Sequence, residues 1–70
     1  MITIQFKDNS DWIFMVSKAN MELYDRFNDS SNETWYNEYG VLFDTPTWDN
    51  RTTIKFTDYA KYIWFILRWS

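Results

Sequence analysis

The sequence contains no cysteine and no histidine, and it has a single glycine and a single proline. Disulfide bridges are therefore excluded, as are zinc sites built from the usual thiolate and imidazole ligands. The single glycine also excludes a glycine-rich phosphate-binding loop. Because acid–base catalysis near neutral pH usually recruits a histidine or a buried acid with a shifted pKa, we expect no enzymatic activity, no metal and no cofactor.

Long apolar segments are also missing. The longest apolar run, Tyr62 to Leu67, is far shorter than the roughly 20 residues needed to cross a bilayer. Met1 is followed by a short alternating segment that lacks the basic and apolar regions of a secretory signal. These features predict a single cytoplasmic domain over residues 1–70 that has no membrane contact.

Aromatic residues are abundant, with five Trp, five Tyr and six Phe. A domain of this length buries only about 60% of the surface that its unfolded chain exposes. Each enclosed aromatic side chain buries on the order of 150 to 250 Å². We therefore expect several rings to remain at the surface, where a cluster of rings indicates an interface.

The formal net charge of −3 is unevenly distributed. Residues 22–49 carry seven acidic side chains against one basic side chain, Arg26, whereas residues 50–70 are net positive. Nucleic-acid binding requires clustered lysine and arginine, so we expect no direct contact with nucleic acid. The acidic middle segment favours a partner protein that carries a basic patch.

The two ends of the chain share a strand-then-helix pattern. Ile2 and Ile4 alternate with polar residues, and so do Ile54 and Phe56, which is typical of half-buried strands. The apolar spacing that follows predicts helices over about residues 10–28 and 58–69, although both segments could instead form hairpins. The similarity between the two ends suggests an internal repeat without establishing one.

The middle segment is predicted to be a hairpin. Residues 34–44 are predicted to form a strand and residues 45–50 a turn, before a last strand that ends near residue 57. The order βαββα predicts a two-layer α+β domain, in which two helices cover one face of a three-stranded sheet. Alternation along the middle strand separates the side chains onto two faces: Trp35, Tyr39, Val41 and Phe43 on one, and Tyr36, Glu38 and Leu42 on the other.

The acidic middle segment is the first candidate binding site. Tryptophan and tyrosine often anchor interfaces, and carboxylates near them can steer a basic partner into place. The predicted partner-binding surface consists of Trp35, Tyr36, Glu38, Tyr39, Trp48 and Asp49. Two alternatives remain: half of these rings face the protein's own core, or the stacked rings hold a sugar.

The C-terminal helix is the second candidate site, because it is apolar on two faces. The stripe Ala60, Ile63, Trp64 and Leu67 is predicted to face the core. The opposite stripe contains Phe65, and it predicts an oligomer interface made of Tyr62, Ile66 and Trp69. Alternatively, the first helix covers this second stripe within the same chain.

The C-terminal pattern Ile54-x-Phe56-x-Asp58, followed by Phe65-x-Leu67-Arg68-Trp69, resembles the ending of small uncharacterised accessory proteins of tailed, myovirus-type phages. The resemblance implies a viral accessory protein that binds a host protein stoichiometrically in the host cytoplasm, as an inhibitor or modulator. The resemblance does not assign a functional role to any residue of this sequence. The alternative function is structural, as a virion component or homodimer that assembles through the apolar C-terminal helix.

Overall fold

Three short strands, β1 (Ile2–Gln5), β2 (Val41–Phe43) and β3 (Thr53–Phe56), form one antiparallel sheet in the order β1-β3-β2. The computed structural model describes residues 1–44, 49 and 51–70. The register places Ile54 of β3 next to both Ile4 and Phe43. Apolar side chains from all three strands therefore share one face of the sheet, and the opposite face is largely polar.

The helices α1 (Asp11–Phe27), α2 (Asn32–Tyr39) and α3 (Tyr59–Trp69) cover the apolar face, and a 3₁₀ turn at Phe6–Asp8 connects β1 to α1. The α+β class, the three-stranded sheet and the helical layer on one face are confirmed. The buried core draws on the three helices, the 3₁₀ turn and the strands β2 and β3, and Ile2 and Ile4 of β1 pack against it half-buried. Its buried apolar members are Phe6, Trp12, Met15, Val16, Ala19, Leu23, Trp35, Tyr39, Val41, Ile54, Phe56 and Phe65.

The helix boundaries follow from short polar residues at their ends. The Asp58 carboxylate accepts a hydrogen bond from the Ala60 N–H at 2.7 Å and caps the start of α3. Asn28 ends α1 in the left-handed conformation with φ of 53°, which asparagine tolerates better than most residues. The predicted helices over residues 10–28 and 58–69 are thus present with nearly the predicted boundaries.

The prediction of a strand over residues 34–44 is wrong in its first half, because residues 32–39 form the additional helix α2. The Ser31 hydroxyl accepts from the Thr34 N–H at the start of this helix, and Gly40 ends it with φ of 65°. Trp35 and Tyr39 are four residues apart, and that spacing keeps two side chains on one face in a helix as well as in a strand. The predicted division into inner and outer residues therefore survives the change of element.

The hairpin of β2 and β3 is confirmed by their antiparallel pairing. The predicted turn at residues 45–50 lies outside the described residues except for Asp49.

The predicted orientation of α3 is wrong. Phe65 is fully buried, and the proposed oligomer-interface residues Tyr62, Ile66 and Trp69 are half-buried against the chain's own core. The reason is the position of Trp12 on α1, whose ring stacks on Phe65 and Tyr62 with centroid distances of 5.9 and 6.3 Å. The first helix therefore covers this stripe, and the opposite stripe of α3 faces solvent.

Candidate protein-binding surface

The structure disperses the predicted partner-binding surface. Trp35 and Tyr39 are buried, with 1% and 2% of their surface exposed. Tyr36 and Glu38 are exposed, Asp49 is half-buried, and Trp48 lies outside the described residues. Of the predicted aromatic anchors that are described, only Tyr36 is available to a partner.

The buried rings of α2 keep their polar atoms satisfied. The Trp35 Nε1–H donates to the Asn20 side-chain oxygen at 3.1 Å, and the Tyr39 hydroxyl donates to the Glu22 carboxylate at 3.0 Å. Both acceptors lie on α1, so these two bonds join the second helix to the first. Their partners explain how such large amphipathic side chains can be enclosed without leaving donors unpaired.

Much of the negative charge of the middle segment serves local structure. The Asp29 carboxylate accepts hydrogen bonds at the start of α2, and these bonds lower its pKa. Asp49 pairs with Arg51 at 2.9 Å, and this contact lowers the pKa of the Asp49 carboxyl. The carboxylates of Asp44 and Glu38 are also bonded within the chain. The ion pairs of Glu38 and Asp49 with arginines therefore offset part of the charge of the segment, whereas the hydrogen bonds from neutral groups leave Asp29 and Asp44 charged.

Four exposed residues of α3 form an apolar stripe, Ala60, Ile63, Trp64 and Leu67, which we name the α3 outer face; Tyr59 and Arg68 are exposed as well. The four residues of the stripe follow the spacing i, i+3, i+4 and i+7 and so form one continuous stripe. The exposed fractions of Ile63, Trp64 and Leu67 are 37%, 48% and 78%. Large apolar side chains are also exposed on α1, namely Phe14, Met21, Tyr24 and Phe27.

Trp64 is held by a closed set of contacts, which we name the Trp64 circuit. Its ring stacks on Tyr39 at a centroid distance of 5.8 Å, and the Arg68 guanidinium lies 5.9 Å from its centroid. Arg68 pairs with the Glu22 carboxylate, which also accepts the hydrogen bond from Tyr39. The circuit consists of Trp64, Tyr39, Glu22 and Arg68, and it connects all three helices.

The electrostatics of the Trp64 circuit are mutually consistent. The hydrogen bond from Arg68 lowers the pKa of the Glu22 carboxyl, and the bond from Tyr39 acts in the same direction. Burial raises the pKa of the Tyr39 phenol, and the neighbouring Glu22 raises it further. Glu22 is therefore charged and Tyr39 neutral at physiological pH, the states in which the hydrogen bond between them is stable.

Sequence reasoning missed the Trp64 circuit. Glu22 and Arg68 are 46 residues apart, and no local pattern links them. The one available signal was the spacing of Trp64 and Arg68, four residues apart on a predicted helix, which brings the two side chains together.

A shallow groove of about 470 Å³ lies between α1 and the end of α3. Phe14, Met15 and Trp69 form its apolar wall, and Asp11 and Lys18 stand at its rim. The Trp69 Nε1 atom is buried and has no hydrogen-bond partner among the described residues.

The fold and the α3 outer face define a small α+β protein with an exposed apolar helix. No protein-family model, curated protein or solved structure matches the chain. The resemblance to phage accessory proteins therefore stays a prediction. In the part of the chain that is described, no helix has the length and apolar character to span a bilayer, and acidic side chains do not gather into a group of three that could hold a metal ion.

Proposed function

We propose that this protein binds another protein stoichiometrically by placing the α3 outer face in an apolar groove of its partner. The observation that carries the proposal is the exposed stripe of Ala60, Ile63, Trp64 and Leu67 on a helix whose other side is anchored in the core. Helices that bind grooves present apolar anchors at this spacing. Tryptophan and arginine are also the residue types most enriched among the energetically dominant contacts of interfaces.

The Trp64 circuit supports the proposal because it restricts the indole before a partner arrives. Tyr39 contacts one side of Trp64, and Arg68 is held near the ring by its pairing with Glu22. Immobilising a flexible side chain on binding costs roughly 0.5 to 1.5 kcal/mol, and a side chain that is already restricted loses less. Trp64 is thus a preorganised anchor.

The charges that flank the α3 outer face favour a partner with an acidic rim. Lys61 and Arg68 are the two charged residues within Tyr59–Trp69, and both are basic. Lys61 forms no ion pair with any other described residue, whereas Arg68 already binds Glu22. An acidic rim is the opposite of the basic patch predicted from the middle segment, in which ion pairs with arginines offset the charges of Glu22, Glu38 and Asp49.

Inhibition or modulation of a host protein, which the phage resemblance implies, is one form of this function. Self-assembly is the alternative class, and an experiment on oligomeric state separates the two. A binding protein captures a specific partner, whether it is a monomer or a weak dimer, whereas a structural protein assembles through α3 with increasing concentration and captures nothing.

The test has two stages. Affinity capture from cell lysate, with the bound protein identified, supplies a partner, and calorimetry with that purified partner measures affinity and stoichiometry. Leu67→Asp should weaken binding at least tenfold, since it places a charge at the most exposed anchor of the stripe. Met21→Asp on α1 is the matched control, because Met21 is 71% exposed and lies outside the α3 outer face.

Both variants should melt within a few degrees of the wild-type chain, because both positions are solvent-exposed. An equal loss of affinity in the two variants would contradict the proposal. Full affinity in Leu67→Asp would contradict it as well. A partner whose groove has a basic rim would contradict the predicted acidic rim.

A further inference from the structure

The outer edge of β1 has a backbone geometry fixed by its pairing with β3. The Phe6 N–H donates to the Thr52 carbonyl at 3.0 Å, which makes these two residues a hydrogen-bonded pair. Hydrogen-bonded and non-hydrogen-bonded pairs alternate along an antiparallel ladder, so Ile4 also bonds toward β3. Thr3 and Gln5 must therefore direct their N–H and C=O groups away from the sheet.

Apart from its shortness, this edge lacks the features that usually prevent strand addition. Proteins protect exposed edges with very short strands, charged residues, proline, bulges or a covering segment. The Ile2–Gln5 strand contains no charge and no proline, and its pairing register with β3 is uninterrupted. Thr3 and Gln5 are exposed, and no residue in the described ranges hydrogen-bonds to their backbone on the outer side.

The apolar face of the sheet is also incompletely covered at this edge. Ile54 of β3 is fully buried, whereas its neighbour Ile4 on β1 is only half-buried. At the opposite edge, Phe43 of β2 in the same row is also half-buried. In the next row, however, Val41 of β2 is buried, whereas Ile2 of β1 is again only half-buried. The open backbone edge and the uncovered apolar surface thus coincide on β1.

We infer that β1 pairs with β1 of a second copy of this chain around a two-fold axis, which joins the two sheets into one. Thr3 of each copy lies opposite Gln5 of the other, and the two Ile4 residues meet at the axis. Antiparallel pairing of this kind places both helical layers on the same side of the joined sheet. The half-exposed Ile4 side chains then bury each other.

A second copy fits this edge because the edge is self-complementary. The two residues with outward-facing backbone groups, Thr3 and Gln5, are two positions apart. An identical antiparallel strand can therefore form backbone hydrogen bonds with both of them. No charged residue of β1 opposes a like charge in this register. An interface based on a strand of four residues is smaller than the roughly 1,200 Å² of a standard complex, and it predicts a weak, concentration-dependent dimer.

Paired charge variants test the register. Thr3→Glu is compatible with the monomer, because position 3 lies opposite Lys55 on β3. Combined with Gln5→Lys, it places opposite charges against each other across the proposed axis. Combined with Gln5→Glu, it places like charges there. The two double variants differ only at one exposed position, and thermal melts should show that both fold.

Sedimentation equilibrium from micromolar to millimolar concentration is the measurement. The wild-type chain should shift toward dimer as concentration rises, the Glu/Lys variant should dimerise about tenfold more tightly, and the Glu/Glu variant should remain monomeric. A wild-type chain that stays monomeric at every concentration would overturn the inference, even if the edge of β1 binds an extended segment of another protein.

Equal dimerisation constants for the two double variants would also overturn the inference. So would a dimer that Leu67→Asp disrupts and the β1 variants do not, since that result assigns the contact to the α3 outer face. The inference is independent of the proposed function, because the Glu/Glu variant should retain partner binding through α3.

Discussion

Glu22 of α1 and Arg68 of α3 form an ion pair that joins the first helix to the last turn of the chain. The same carboxylate accepts the hydroxyl hydrogen bond of Tyr39, so one acidic side chain contacts all three helices. Because Arg68 and Tyr39 both contact the ring of Trp64, the position of that ring depends on Glu22. A structural ion pair thus supports the candidate binding surface.

Replacing Glu22 with glutamine keeps the size of the side chain and an acceptor oxygen but removes the charge. We expect Glu22→Gln to lower the free energy of unfolding at neutral pH by about 0.5 to 1 kcal/mol, because the pair is partly exposed and solvent screens it. Urea unfolding of both proteins measures the difference.

The effect of Glu22→Gln should depend on pH in a defined direction. Arg68 lowers the pKa of Glu22 below its ordinary value of 4.5. A carboxyl whose pKa is lowered on folding stabilises the folded state above its unfolded pKa, and this contribution is lost as the pH falls through the folded pKa. The difference between the two proteins should therefore shrink on acidification below 4.5. A difference that is constant with pH would mean that the substitution acts through packing.

The Tyr39 phenol should lose its proton at a higher pH than an ordinary tyrosine. Burial raises its pKa above the ordinary value of 10.0, and Glu22 adds to the shift. Because the neutral phenol is favoured in the folded state, stability should fall as the pH rises above 10. Absorbance titration of tyrosinate should show an ionisation step at high pH in the wild-type chain, and Tyr39→Phe should remove this step. An unchanged titration curve would contradict the burial of this hydroxyl.

The amphipathic ends of the chain could be predicted because each pattern is local. The alternation at Ile2 and Ile4 fits a half-buried strand, and the apolar spacing after each strand favours a helix over the alternative hairpin. The helix α2 could not be distinguished in this way, because Trp35 and Tyr39 satisfy both periods. What decides it are the cap at Ser31 and the left-handed Gly40, neither of which the predicted strand over residues 34–44 takes into account.

The candidate binding surface was harder to predict because it depends on which side of α3 is covered. Both stripes of this helix are apolar, and neither contains a signal for the core. The choice follows from Trp12, which is 50 or more residues away and stacks on Tyr62 and Phe65. The prediction that several rings stay exposed is confirmed, and the exposed rings among the described residues are Phe14, Tyr24, Phe27, Tyr36, Tyr59 and Trp64.

Gly40 should be intolerant of a side chain. Its φ of 65° is left-handed, and an added Cβ would lie 2.9 Å from Lys61 Cδ and 3.0 Å from Thr57 Oγ1. We expect Gly40→Ala to cost about 1 to 2 kcal/mol from backbone strain alone. Asn28, also left-handed, provides the control: Asn28→Gly should not destabilise the chain, whereas Asn28→Ala should. Chemical denaturation measures all three, and a tolerated Gly40→Ala would contradict the helix end at this residue.

The orientation of α3 makes the sharpest prediction about stability. Phe65 is fully buried against Trp12 and Phe56, so Phe65→Ala should cost about 3 to 5 kcal/mol. Leu67→Ala removes a side chain that is 78% exposed and should change stability by less than about 0.5 kcal/mol. If Phe65→Ala does not fold, the milder Phe65→Leu should still destabilise the chain more than Leu67→Ala does. Thermal and urea melts decide the order, and the reverse order would place the stripe of Ala60 and Leu67 in the core.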